Sequence, residues 1–157
     1  MREPTPIERA WLILARTPRL SAAPLRAALD QCADAATLVT LPASRLRAVG
    51  LEAEAAAHVA APDAAALAAD LAWLAASDAW LLPLTAAAYP PQLATLPDPP
   101  LLLFGRGDAA LLARPQLAVV GSRRPTAAGR RIAAAIAADL ARAGYAITSG
   151  LALGIDA

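Results

Sequence analysis

The sequence predicts an α/β chain in which a small all-helical domain, residues 1–77, precedes an incomplete parallel-sheet domain, residues 78–157. Three observations carry this. Alanine supplies 46 of the 157 residues, and clustered alanine favours helix over strand. As far as Ser77 the punctuation is that of short helices, with capping residues and prolines at their starts. From Ala79 onward the apolar residues gather instead in short runs bounded by proline and glycine, the pattern of strands.

In chain order, Thr5-Pro6-Ile7-Glu8 is a capping box with proline at the first helical position, predicting a helix to about Arg16. Thr17-Pro18 ends it. Ser21 can cap a second helix through Leu25, Ala28 and Leu29, with Pro24 tolerated in its first turn. Short helical pieces follow, separated by Pro42, Gly50 and Pro62, and Leu67, Leu71 and Leu74 stripe a helix from Asp63 to Ser77. Ala79-Trp80-Leu81-Leu82 then suggests a strand, Tyr89-Pro90-Pro91 a turn, and Leu101-Leu102-Leu103-Phe104 a second extended run. Leu117-Ala118-Val119-Val120 reads as a parallel strand buried on both faces. A helix with Ile132, Ile136 and Leu140 along one face follows, closed by Gly144 as a left-handed cap, and Tyr145-Ala146-Ile147-Thr148 is the next strand. This βαβ unit places its two strand-end loops at one sheet edge, where open parallel sheets bind ligands. A further helix is expected to begin where the chain stops, so a truncated protein is expected.

Composition narrows the chemistry. The chain is 58% hydrophobic, with 14 basic residues against 13 acidic and a net charge of +1, so only local clustering can draw it to a polyanion. Every cation is arginine, which excludes a Walker-type phosphate loop and lysine-based catalysis. Cys32 and His58 are the only cysteine and histidine; they cannot make a zinc site alone, and no metal or cofactor is expected. A single cysteine and the lack of a signal-peptide core or a spanning segment predict a cytosolic protein without membrane contact.

The loops carry the remaining signal. Gly121 allows close backbone approach, Ser122 offers a hydroxyl, and the helix starting near Thr126 presents free N–H groups, a combination suited to phosphate. Arg123 and Arg124 add forked donors. With Arg114, Arg130 and Arg131 they make five successive charged residues of one sign. The second loop, Ser149-Gly150, lies beside the first. A dinucleotide fingerprint is absent, and two adjacent phosphate sites suit a polynucleotide backbone.

Val119-Val120-Gly121-Ser122-Arg123, Thr126 with Gly129, Ala143-Gly144-Tyr145 and Ser149-Gly150-Leu151-Ala152-Leu153-Gly154-Ile155-Asp156 resemble the DprA (Smf) DNA-processing protein family. Tyr89-Pro90-Pro91-Gln92-Leu93 and the segment from Asp98 to Gly107 are similar to the family's lead-in. The resemblance implies a sterile-alpha-motif-like helical domain before an extended Rossmann-like domain that binds and protects single-stranded DNA and loads the RecA recombinase in natural transformation, without catalysis. It implies DNA phosphates at Gly121, Ser122, Arg123, Arg124, Thr126, Ser149 and Gly150, and homodimer contacts in a part of the family absent here.

The turn Thr17-Pro18-Arg19-Leu20-Ser21 resembles a degenerate helix-hairpin-helix, with Arg19 and Ser21 where glycines give backbone freedom. Trp11, Trp73 and Trp80 read as core anchors, His58 as a partly exposed structural residue, and Cys32 as inert. Asp156 can cap a following helix or face a ligand. Two alternatives stand beside DNA binding. One is a Rossmann-type nucleoside-monophosphate phosphoribohydrolase of the lysine-decarboxylase-like group. The other is a helical interaction module attached to a non-functional stub.

Overall fold

The computed structural model describes residues 3–75 and 78–157. The chain forms two compact units that divide between Gly107 and Asp108.

In the first unit, Thr5 caps α1 (Pro6–Ala15) as its sequence requires. The Glu8 amide donates to Thr5 Oγ1 at 3.2 Å and the Thr5 amide donates to Glu8 Oε2 at 2.8 Å, satisfying two amides the helix leaves open. α2 (Ala22–Leu29) follows a tight turn in which Arg19 has φ 55°. Arg19 therefore takes a left-handed conformation without being glycine. Ser21 occupies the N-cap with extended backbone, but its hydroxyl accepts no helix amide. Three short helices continue the chain: α3 (Ala35–Val39), α4 (Ala43–Ala48) and α5 (Ala53–Ala60). α6 (Ala64–Leu74) is capped by Asp63, whose carboxylate accepts from the Ala65 and Ala66 amides. Residues 76 and 77, the predicted end of this helix, lie outside the described residues.

Trp11, Leu12, Leu14, Leu25, Leu38, Leu46, Val59 and Leu67 form the core, and Leu12, Leu14, Leu25, Leu38 and Leu46 are fully buried. Each such leucine contributes about 2–3 kcal/mol by leaving water. Asp70 on α6 is the one buried charge at 7% exposure among the described residues, and it is gripped by Arg16 at the end of α1.

β1 (Ala79–Pro83) and β2 (Leu102–Arg106) pair antiparallel and pack on α6 and α1. By packing, this hairpin belongs with the helices, whereas composition groups it with the residues that follow. Between its strands lies α7 (Pro91–Ala94), a single helical turn where only a turn is predicted. Tyr89 is buried just before it and donates its hydroxyl to the Pro100 carbonyl at 2.8 Å. Burial pushes the Tyr89 phenol above its ordinary value.

The second unit opens with a 3-10 turn, Ala109–Ala113, followed by β3 (Gln116–Ala118), α8 (Ala127–Arg142) and β4 (Ala146–Thr148). β3 and β4 are parallel, with Leu117 opposite Ile147, so the predicted βαβ order is present. Gly144 ends α8 with φ 97° as expected, and the Tyr145 amide donates back to the Leu140 carbonyl at 3.2 Å.

Two expectations fail here. β3 is exposed along its length rather than buried on both faces, and Val120 beyond it is 74% exposed. None of the described residues of this unit is buried. The Ile132 and Ile136 stripe also faces outward, at 59% and 52% exposure. α8 instead turns its small residues Ala133 and Ala137 toward Val119 and Ile147, across a cleft of about 330 Å³. No helix among the described residues is long and apolar enough to cross a membrane.

Candidate functional site

The predicted site lies wholly within the second unit, where β3 and β4 end. The Val119 amide donates to the Thr148 carbonyl at 2.9 Å, extending the strand pairing by one bond. Thr148 then donates its hydroxyl to the Gln116 side chain. Beyond this point the chains leave the sheet as the loops 119–126 and 149–157.

The two loops are fastened to each other. The Gly121 amide donates to Asp156 Oδ1 at 2.9 Å, and the Ile155 amide donates to the Ser122 carbonyl at 3.2 Å. Ser149 donates its hydroxyl to the Asp156 carbonyl and accepts the Leu151 amide at 3.2 Å. Two glycines permit this seating. A Cβ on Gly121 would lie 2.7 Å from Ile155, and one on Gly154, at φ 113°, would lie 2.2 Å from the Ser122 carbonyl oxygen. Neither position tolerates a side chain without moving backbone.

The remaining predicted residues divide into two groups. Ser122 Oγ accepts the Arg124 amide at 3.1 Å, a turn that shapes the loop. Thr126 caps α8 by accepting the Gly129 amide at 3.0 Å. Gly150 is exposed, with Asp156 Oδ2 3.6 Å from where its Cβ would be. Arg123 and Arg124 are exposed on the loop, Arg130 and Arg131 on the first turns of α8, and among the described residues none of the four forms an ion pair. Gly121, Ser122, Arg123, Ser149 and Gly150 are thus brought together around the 154–156 segment, while Thr126 is engaged as the cap of α8.

Arg130 and Asp156 are the charged groups on the cleft beside α8, whose walls are otherwise alanine, valine and isoleucine with Ser149 and Gly154. Among the described residues no group of three or more His, Cys, Asp or Glu is placed to hold a metal ion. His58 is half-buried on α5 and Cys32 half-buried in the helical unit. Sequence reasoning left Asp156 between two roles and gave Gly154 and Ile155 none. Gly154 was the available signal, because a glycine between apolar residues marks a close backbone approach.

Residues 80–157 match the sequence model of the family described as DNA recombination-mediator protein A. The chain is 40% identical over 75 residues to the DNA processing protein DprA of Bacillus subtilis, a match covering 47% of this chain and 25% of that protein. It is 46% identical over 74 residues to the protein Smf of Escherichia coli, covering 47% of this chain and 20% of that protein. The chain therefore spans far less than two thirds of either relative. No solved structure matches it significantly.

Proposed function

Given that this chain belongs, through residues 80–157, to the DNA recombination-mediator protein A (DprA/Smf) family, we propose that it is a non-catalytic, cytoplasmic DNA-processing protein. It binds and protects single-stranded DNA and delivers it to the RecA recombinase during natural transformation. In this reading residues 1–77 are a sterile-alpha-motif-like domain and residues 78–157 the first part of a Rossmann-like one whose opening hairpin packs with the helices, with dimer contacts elsewhere in the family fold. DNA phosphates run along Gly121, Ser122, Arg123 and Arg124, past the Thr126 start of α8, and beside Ser149 and Gly150. Arg123 and Arg124 make the contacts, and the small residues form the floor of the track.

The observation that carries this reading is the set of four exposed arginines, none of which forms an ion pair among the described residues, beside two small-residue loops. A planar guanidinium with no carboxylate partner is a ready donor to a phosphodiester. A row of them along a loop and a helix start follows a backbone better than it encloses a small molecule.

The test is fluorescence anisotropy of a labelled oligo-dT strand at two salt concentrations, with the wild-type chain and Arg123→Ala. Wild-type affinity is expected to fall with salt. The variant is expected to bind more weakly, with a log–log salt slope shallower by about 0.7, the single-strand value for one phosphate contact. Equal affinity and slope in the variant would remove Arg123 from the interface. Release of ribose phosphate from a nucleoside monophosphate would instead favour the phosphoribohydrolase alternative.

A further inference from the structure

We propose that Asp156 is a positioning residue that fills the anion place at the end of β3 with the chain's own carboxylate, leaving the phosphate contacts to the arginines. The proposal deepens the DNA-binding reading and rests on it for its DNA arm alone.

After a parallel strand, a glycine amide and the small residues around it are the usual seat of a bound phosphate. Here that seat is taken. Asp156 Oδ1 receives the Gly121 amide at 2.9 Å, and a charge-assisted bond of this kind is about twice as strong as a neutral one. The carboxylate does not hang on a loose arm. Its own carbonyl holds the Ser149 hydroxyl, the neighbouring Ile155 amide holds the Ser122 carbonyl at 3.2 Å, and Gly154 lies directly against the Ser122 backbone.

An incoming phosphate oxygen at the Gly121 amide would have to expel Asp156 or sit against its negative charge. Like charges brought that close repel one another even at the high effective dielectric of a protein surface. Ser149 Oγ is likewise engaged within the loops, donating to the Asp156 carbonyl, whereas Ser122 Oγ accepts the Arg124 amide and keeps its own proton. Beside the Ser122 amide and hydroxyl, the charged donors facing solvent on this loop are the guanidinium groups of Arg123 and Arg124. Asp156 therefore acts on specificity. It denies the strand end to a single terminal phosphate and holds loop 121–124 in the shape that presents its arginines to an extended backbone.

The experiment uses the full chain labelled with nitrogen-15, followed by residue-resolved amide NMR. In the wild type, the Gly121 amide should exchange at least about tenfold more slowly than the Ser122 amide, which has no acceptor among the described residues. It should not titrate with inorganic phosphate. Asp156→Ala should shift the Gly121 resonance and make it respond to phosphate. Asp156→Asn, whose side-chain oxygen still accepts the amide, should keep the resonance near its wild-type position and bind oligo-dT as tightly as wild type or up to about threefold more tightly, one repelling charge having gone.

A Gly121 amide that exchanges freely in the wild type, or that saturates with phosphate there, would overturn the proposal without any variant having to fold. A tenfold loss of oligo-dT affinity in Asp156→Asn would also overturn it, since the carboxylate would then be helping to hold the ligand. Protected Gly121 with no oligo-dT binding by any form would sink the DNA reading while leaving Asp156 in its seat.

Discussion

Arg16 holds Asp70 with two guanidinium nitrogens at once, Nε on one carboxylate oxygen and Nη2 on the other, the latter at 2.6 Å. The bond ties the C-terminal end of α1 to α6 across 54 residues of sequence. The Asp70 side chain is 10% exposed and that of Arg16 46%, so one partner is nearly desolvated and the other keeps much of its water. Hydrogen bonding to Asp70, with its charge, raises the Arg16 guanidinium above its ordinary value.

Asp70→Ala should destabilise the chain by about 1–2 kcal/mol. This is less than the ~3–5 kcal/mol of a fully buried pair, because the abandoned Arg16 can rehydrate. Urea unfolding would show a lower midpoint at an unchanged slope. An unchanged midpoint would mean the pair is neutral to stability.

Gly105 lies opposite Trp80 in the β1–β2 register, and a Cβ there would fall 2.0 Å from the indole ring. The ring is fixed over the glycine by its Nε1, which donates to the Gly107 carbonyl at 2.9 Å. Gly105→Ala should displace the ring and cost about 1–3 kcal/mol by overpacking. Near-ultraviolet circular dichroism and thermal unfolding would both change; if neither does, the ring is not held there.

Arg19 is at φ 55° and is exposed, with an ion pair to Glu54 at 3.5 Å. A left-handed non-glycine residue carries a cost of about 1 kcal/mol, which an exposed ion pair offsets only in part. Arg19→Gly should therefore leave stability within about 0.5 kcal/mol of wild type, because relief of strain is set against the greater chain entropy of glycine. Arg19→Val should lose about 1–2 kcal/mol, as β-branched residues tolerate this region poorly. Equal unfolding midpoints for the two variants would rule out left-handed strain at this turn.

Two helix caps make the helical unit sensitive to acid. The Thr37 amide holds the Asp34 carboxyl below the ordinary aspartate value of 3.8, and the Ala66 and Ala65 amides do the same for Asp63. Since folding lowers both values, the unfolded chain binds more protons in this range. The stability the caps supply is complete above pH 3.8 and is lost as pH falls through the lower folded values. Helical circular dichroism should record this decline, and the double variant Asp34→Asn with Asp63→Asn should flatten it, because asparagine caps without titrating. An acid transition of the same size in the double variant would place its source elsewhere.

The parts of the fold written in local chemistry were legible in the sequence. Thr5 with Glu8, Asp63, Thr126 and Gly144 each act within a few residues of themselves, and each stands at the helix end assigned to it. What sequence could not supply was the partner across space. The apolar run at Leu117–Val120 says that a strand wants cover on both sides, not that cover is provided. The Ile132 and Ile136 stripe is apolar, yet it is Ala133 and Ala137 that face Val119 and Ile147 across the cleft. The site was legible as two small-residue loops with arginines nearby. The bond from Gly121 to Asp156 spans 35 residues and has no local signature.

Every apolar side chain that is buried among the described residues lies at or before Leu102, and α8 contains none. The arginines are thus mounted on the portion of the chain with the least apolar burial to hold it. What holds the two loops in place is hydrogen bonding between them, Gly121 to Asp156 and Ile155 to Ser122, rather than a buried apolar core.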